Sequence, residues 1–214
     1  MDSLLSVTTP VGVVGSGAMG AGIAQVAAAA GHPVRVFDKR PGAAADAVTA
    51  IRAQFARLAD KGKLSREAAD AAAARLNPVE ALGGLADCGL VVEAIVEDLA
   101  AKQQLFAELE GLVGADCLFG SNTSSISITA IGAALARPER LAGLHFFNPA
   151  PLMALVEIVS GLATAPEVAA CLFATAAAWG KTPVHARSTP GFIVNRVARP
   201  YYAEALRVAQ EGGA

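Results

Sequence analysis

Aromatic side chains are scarce in this sequence: eight Phe, two Tyr and one Trp make up 5% of its 214 residues. Its interior is therefore expected to be built from smaller aliphatic groups, Ala, Val, Leu and Ile. An excess of one charge is lacking too. Lys and Arg number 17 against 19 Asp and Glu, a formal net charge of −2, and no run of basic residues stands out. A broad nucleic-acid surface needs clustered cations to displace counterions, so nucleic acid is not an expected partner. Three cysteines, Cys88, Cys117 and Cys171, lie far apart with no CxxC spacing. Neither a zinc site nor a disulfide framework is expected from them; they read as small buried hydrophobes suited to a reducing compartment. Also missing is any stretch of about 18 continuous apolar residues, and Met1–Pro10 has no basic region followed by an apolar one. No membrane association is expected, and a cytoplasmic location is.

What is present is hydrophobicity in short pieces, 54% of the residues in all. That is enough for a well-buried core at this length. Short runs of Val, Leu and Ile occur at Val11–Val14, Val34–Phe37, Leu90–Glu93, Cys117–Gly120, Leu141–Phe146, Leu155–Val159 and Pro183–His185. They show little polar alternation, as strands buried on both faces do. Ala-rich helical patterns separate them at Ala18–Ala30, Lys102–Leu109, Ser127–Ala136 and Pro166–Trp179. This alternation predicts an α/β fold with a doubly wound, mostly parallel sheet. One connection is long. Between Pro41 and Leu82, Val48, Ile51, Phe55 and Leu58 share a helical face, and Ser65 precedes a second helix as an N-cap. A helical hairpin over about 42–82 is expected, inserted in a domain spanning 1–190. The last stretch, 191–214, reads as a helix opening a further helical domain of which the rest is missing.

The sharpest local motif is Gly15-Ser-Gly17-Ala18-Met19-Gly20, directly after a strand and directly before a helix. In that context Gly15 makes the tight turn, Gly17 lets the backbone approach a pyrophosphate, and Gly20 lets helix and sheet pack closely. The phosphates sit on the helix N-terminus. Asp38 ends the second strand, 23 positions after Gly15. A carboxylate there accepts from the adenosine ribose and repels an extra phosphate, which favours NAD over NADP; the neighbouring Lys39 and Arg40 pull the other way.

Ligands of open α/β sheets bind outside the carboxyl ends of the strands. There the third run leads into Glu93 to Glu97, the fourth into Ser121-Asn122-Thr123-Ser124-Ser125 and the fifth into His145-Phe-Phe-Asn148-Pro149. Moving a hydride off an alcohol requires a base for the hydroxyl proton, and histidine suits that near neutral pH. His145 is the candidate, with Glu157 on the next strand to hold its ring, Ser124 to meet the substrate oxygen and Asn195 to donate from the last helix. On residue type alone, other roles stay open. Ser124 fits an ST-turn or a cap, Asn195 an ordinary helix contact and Glu157 a surface strand position. His32 and His185 read as structural, and Arg52, Arg57, Lys61 and Lys63 as a solvated face. No metal is needed.

Together, Val13-Val-Gly-Ser-Gly-Ala-Met-Gly20, Ser121-Asn-Thr-Ser-Ser125, His145-Phe-Phe-Asn-Pro149 and Pro190-Gly-Phe-Ile-Val-Asn-Arg196 resemble the hallmark segments of 3-hydroxyacyl-CoA dehydrogenases, including bacterial 3-hydroxybutyryl-CoA dehydrogenases. The resemblance runs along essentially the whole chain, and the arrangement of the final helix also resembles longer bacterial versions linked to aromatic-acid breakdown. It implies a Rossmann-type domain and reversible oxidation of an (S)-3-hydroxyacyl-CoA to the 3-ketoacyl-CoA with NAD. His145 would be the acid/base and Glu157 its partner, with Ser124 and Asn195 on the substrate oxygen. Gly15, Gly17, Ala18, Met19, Gly20, Asp38, Glu97, Lys102, Asn122 and Asn148 would form the NAD site, and the hairpin would help to hold CoA. Family members continue into an all-helical domain that forms a homodimer and closes over the acyl chain. Without it, NAD binding is expected to survive and turnover to be poor or nil. Two other functions compete: an NAD-dependent β-hydroxyacid oxidoreductase with a non-CoA substrate, a class that often uses a lysine rather than a histidine as the proton-transfer group, and a nucleotide-binding fragment without catalysis.

Overall fold

The computed structural model describes residues 4–212. The elements follow in the order β1 (Val11–Val14), α1 (Ala18–Ala29), β2 (Val34–Phe37), α2 (Ala43–Asp60), α3 (Arg66–Ala74), β3 (Leu76–Val79), β4 (Leu90–Glu93), α4 (Leu99–Glu110), β5 (Leu118–Ser121), α5 (Ile128–Gly132), β6 (Leu141–Phe146), β7 (Leu155–Ser160), α6 (Pro166–Ala178), β8 (Thr182–Arg187) and α7 (Val194–Gln210). The strands form one sheet in the order β3-β2-β1-β4-β5-β6-β7-β8. Neighbours are parallel except β6 and β7, which pair antiparallel. From β1 the chain winds outward one way through β2 and β3, then returns to the other side of β1 with β4. Strand order reverses between β1 and β4, and at such a switch point the loops splay apart and leave a crevice.

The central strands β1, β4 and β5 are buried along their whole length, as continuous apolar runs under two helical layers should be. Small residues let α1 lie close to the sheet: Gly20, Gly22, Ala24, Ala27 and Ala28 are all buried. Side-chain caps start α3 and α4, as one does α5. The Ser65 hydroxyl accepts from the Ala68 amide at 3.1 Å and Asp98 Oδ1 from the Ala101 amide at 2.8 Å, each satisfying a first-turn donor. Pro166 sits in the first turn of α6, where its missing N–H costs nothing.

The hairpin is shorter than the span of about 42–82 expected for it. Its helices end at Ala74, and Leu76–Val79 adds an edge strand, β3, beside β2. Pro78 masks that strand in the sequence, yet proline is tolerated at a sheet edge where one side makes no ladder. Arg52, read as part of a solvated face, instead donates to the carbonyls of Ala73 and Leu76 at 3.2 and 2.7 Å, tying α2 to the start of β3. The helix expected over Ser127–Ala136 is only Ile128–Gly132. Its first turn is held by Ser127, whose hydroxyl accepts from Ala130, and the Ala-rich tail beyond it turns toward the buried Arg140, which donates to Glu110 and to three carbonyls. All three cysteines are buried and free, and burial pushes the thiols of Cys88 and Cys117 up to about 12. His32 and His185 are structural as expected. His32 contacts the Thr9 carbonyl and Trp179, and His185 stacks on Phe173. Among the described residues no helix is long and apolar enough to cross a membrane.

Candidate active site

The glycine loop joins β1 to α1 at the crevice. Gly15 has a φ of 97°, and a Cβ there would lie 2.5 Å from the Ala94 carbonyl oxygen; at Gly20 a Cβ would lie 1.7 Å from the Gly15 oxygen. Both positions need glycine, one for its backbone and both for space. Gly17 is different. A Cβ there meets nothing within 4 Å, so the absent side chain leaves an open approach to the backbone. Gly17 also begins α1 without any side-chain cap, so the first-turn amides of Ala18 and Met19 face outward as donors for an anion. Such a cradle fits a pyrophosphate.

Asp38 is at the end of β2 as expected, with its carboxylate already engaged. Oδ2 accepts from the Ser16 amide and hydroxyl at 2.9 and 2.7 Å, and Oδ1 from the Arg40 amide at 2.9 Å and its Nε at 3.1 Å. Burial opposes its ionisation, but the hydrogen bonds from Arg40 and Ser16 outweigh that and hold the carboxyl well below the usual range. It is thus a fixed anion between the glycine loop and the crevice. The Arg40 side chain is largely exposed and pairs with Asp38; in that pose it occupies acceptor positions that ribose hydroxyls would claim. The crevice beside it is lined by Gly15, Gly17, Asp38, Arg40, Leu82 and Ile95.

A second cavity of about 410 Å³ adjoins the first at Ala94 and Ile95. Met19, Glu97, Lys102, Asn122, Ser124, His145, Asn148 and Asn195 all line it. The strand ends thus gather the residues that the sequence could list but not assemble. Their supports lie underneath. Lys102 and Glu93 are 1% and 0% exposed and pair at 2.5 Å. The other Glu93 oxygen accepts from Ser121 Oγ at 2.7 Å, and the Ile95 amide donates to Oε1 at 2.8 Å. Lys102 also reaches Glu97 Oε2 at 3.3 Å. Glu97 Oε1 accepts from the Thr123 hydroxyl at 2.6 Å and the Ser124 amide at 3.0 Å. Burial opposes ionisation of Glu97, and the Thr123 hydroxyl, Lys102 and the Ser124 amide overcome it, holding the group below the usual range. One ammonium therefore bridges two carboxylates, and the serine-rich loop hangs on the more exposed of them.

His145 and Glu157 face each other across the antiparallel β6–β7 pair. Nδ1 and Oε2 are 2.7 Å apart, and both residues are buried. The surface position that the Glu157 residue type also allowed does not hold. A carboxylate only accepts, so Nδ1 carries the proton of this bond, while Nε2 has no protein partner among the described residues and the imidazole lines the cavity. The second Glu157 oxygen accepts from the Ile193 and Val194 amides at 3.0 and 2.9 Å, at the entrance to α7. Asn195 donates to the Ser124 carbonyl at 3.1 Å, which draws the two expected substrate contacts together. Ser124 does not cap α5; Ser127 does. Asn122 Oδ1 accepts from the Phe146 amide at 2.8 Å, bracing the strand end that carries His145. Three features escaped the sequence reading: the Glu93–Lys102 pair, the anchoring of α7 on Glu157, and the Phe147 and Phe192 rings beside His145. Glu93 carried the best available signal, a carboxylate at the end of a wholly apolar strand, which demands a buried partner.

Residues 10–189 match the family model for the 3-hydroxyacyl-CoA dehydrogenase, NAD binding domain. The chain is 53% identical over 201 residues to a 3-hydroxyadipyl-CoA dehydrogenase of Escherichia coli K12, covering 94% of this chain and 42% of that protein. With the human mitochondrial hydroxyacyl-coenzyme A dehydrogenase it shares 41% over 210 residues, 95% of this chain and 67% of the other. A crystal structure of 3-hydroxybutyryl-CoA dehydrogenase from Escherichia coli K12 superposes with a TM-score of 0.95 at 52% identity, over 98% of this chain and 44% of that one. The chain thus spans less than half the length of the two Escherichia coli proteins. With a glycine loop open to an anion, a fixed carboxylate beside it and a family model matching over 10–189, the chain belongs to the 3-hydroxyacyl-CoA dehydrogenase family, as its NAD-binding domain.

Proposed function

We propose that this chain is the cofactor-binding and acid–base half of an NAD-dependent 3-hydroxyacyl-CoA dehydrogenase, interconverting (S)-3-hydroxyacyl-CoA and 3-ketoacyl-CoA. The observation that carries the reading is the His145–Glu157 pair at 2.7 Å, with Nε2 turned to a cavity that adjoins the glycine-loop crevice. Bound NAD supplies the hydride acceptor for C3 of the alcohol. The Ala18 and Met19 amides would hold its pyrophosphate and Asp38 its ribose, with Glu97, Lys102, Asn122 and Asn148 along the rest.

In the oxidative direction His145 Nε2 takes the 3-hydroxyl proton as the C3–H bond gives up its electron pair. The imidazolium so formed lies against Glu157, which carries the compensating charge. Ser124 and Asn195 orient the oxygen that becomes the carbonyl. In reverse, His145 returns the proton. A β-hydroxyacid oxidoreductase of the lysine type fits less well, because the one lysine lining this cavity, Lys102, is committed to Glu93 and Glu97. NADH oxidation under single-turnover conditions, with acetoacetyl-CoA or free acetoacetate as acceptor, tests the substrate class. Slow oxidation that depends on the CoA ester is expected; equal rates with both would contradict the acyl-CoA assignment.

A further inference from the structure

Among the described residues Phe192 is the one non-glycine with positive φ, at 49°. A bulky residue in the left-handed region is strained, and it persists only where its surroundings over-determine it. Those surroundings are the acid–base pair. The Phe192 side chain is 3% exposed and belongs to the apolar cluster that contains Ile128, Val159 and Ala186. Its ring meets the His145 imidazole edge to face, with centroids 5.8 Å apart. Phe147 lies against the same imidazole at 4.5 Å. The turn that buries the ring also aims the next two amides, Ile193 and Val194, at Glu157 Oε1, and it is closed by the Phe192 amide on the Thr189 carbonyl at 2.9 Å. Glycine would make this turn without strain, so the turn alone gives no reason for a ring at 192.

We infer that Phe192 is a positioning residue: its ring fixes the plane of His145 and keeps water from the Nδ1–Glu157 bond, and its strained backbone fastens the entrance of α7 to the same carboxylate. The inference rests on the reading of His145 as the acid–base group, and it names how that group is held. A hydrogen bond defines where Nδ1 points, but it leaves the ring free to rock about that axis; two aromatic neighbours remove that freedom. Among the other groups at His145, the polar ones leave this task undone, and Met19, Ala94 and Ile95 are further lining residues of the same cavity that carry no ring. Glu157 holds Nδ1 from β7, while Glu97, Lys102, Ser124 and Asn195 line the cavity on the Nε2 side.

The test is the Nδ1-bound proton of His145, followed by NMR on the whole chain with neither cofactor nor substrate, so failure of the catalytic reading would not imitate failure of this one. A slowly exchanging proton is expected in the parent chain. Phe192→Gly keeps the left-handed turn and removes only the ring. In it the proton is expected to exchange with water about two- to tenfold faster, the scale of one lost edge-to-face contact, while the Ile193 and Val194 amide signals stay in place. Phe192→Leu, which refills the space without a ring, is expected to lie between the two. Unchanged exchange in folded Phe192→Gly would overturn the inference, as would a parent-chain proton that already exchanges freely. Should Phe192→Gly fail to fold, Phe192→Leu decides by the same criterion.

Discussion

The two ends of the crevice are built on opposite plans. At the end proposed for the cofactor the functional groups would be backbone amides, and what matters is the absence of side chains at Gly15, Gly17 and Gly20. At the end proposed for proton transfer they are the ionisable side chains His145 and Glu157, which, like the Glu93 and Lys102 that support the site, are buried and paired. The first end comes from a contiguous stretch of sequence plus Asp38. The second comes from β4, α4, β6 and β7, residues as far apart as Glu93 and Glu157. A backbone site tolerates chemistry nearby but no added bulk, whereas a site of buried charges tolerates small changes of shape but no loss of a partner. Binding and proton transfer should therefore break separately.

The largest effect is expected from Lys102→Met. It leaves Glu93 buried without its counter-ion, and removing one partner of such a pair costs roughly 3–5 kcal/mol; urea unfolding should show it, and a loss below about 1 kcal/mol would mean that Glu93 reaches solvent or another cation. Next comes Gly20→Ala. A Cβ 1.7 Å from the Gly15 oxygen forces the loop and α1 apart, for which a cost of about 1–3 kcal/mol is expected, with loss of NAD binding by titration. Gly17→Ala sharpens the contrast within one loop. Nothing meets its Cβ, so stability should change by less than about 1 kcal/mol while NAD affinity falls about tenfold, equal to about 1.4 kcal/mol. Retained affinity would place the pyrophosphate elsewhere.

The mildest effect is that of acid. Asp38, Glu97 and Glu110 are held below their ordinary range in the folded chain. Their ionised forms therefore stabilise the fold above the unfolded values near about 4, and that contribution disappears as pH falls through and below them. Unfolding midpoints should drop below about pH 4. Arg40→Ala should shrink the part due to Asp38, since the Arg40 side chain is one of the four groups that donate to its carboxylate.

Much of the fold was legible because buried strands and Ala-rich helices differ in length and pattern. Six of the apolar runs lie within one residue of strands β1, β2, β4, β5, β6 and β7, and the seventh falls inside β8. β3 was hidden because Asn77 and Pro78 break the apolar run that announces a strand, and only the edge position permits them. The cofactor loop was legible because its requirements are local: glycine at three spacings, a strand before and a helix after. His145 and Glu157 could be paired from sequence because the strands that carry them are consecutive, although only the antiparallel register puts them face to face. What stayed hidden depends on residues meeting from remote parts of the chain. Lys102 gives no sign in the sequence that it runs beneath the sheet ends to Glu93, and Phe192 gives none of its left-handed backbone.

One measurement bears most directly on the separability of the two ends: His145→Ala examined side by side for NADH binding and for single-turnover NADH oxidation by acetoacetyl-CoA. Affinity within about twofold of the parent chain, less than about 0.5 kcal/mol, is expected together with a rate lower by about 10²–10⁴, the usual worth of a positioned acid–base group. A substituted chain that oxidises NADH as fast as its parent, or that no longer binds it, would contradict the division of the crevice into a backbone site for the cofactor and a buried-charge site for the proton.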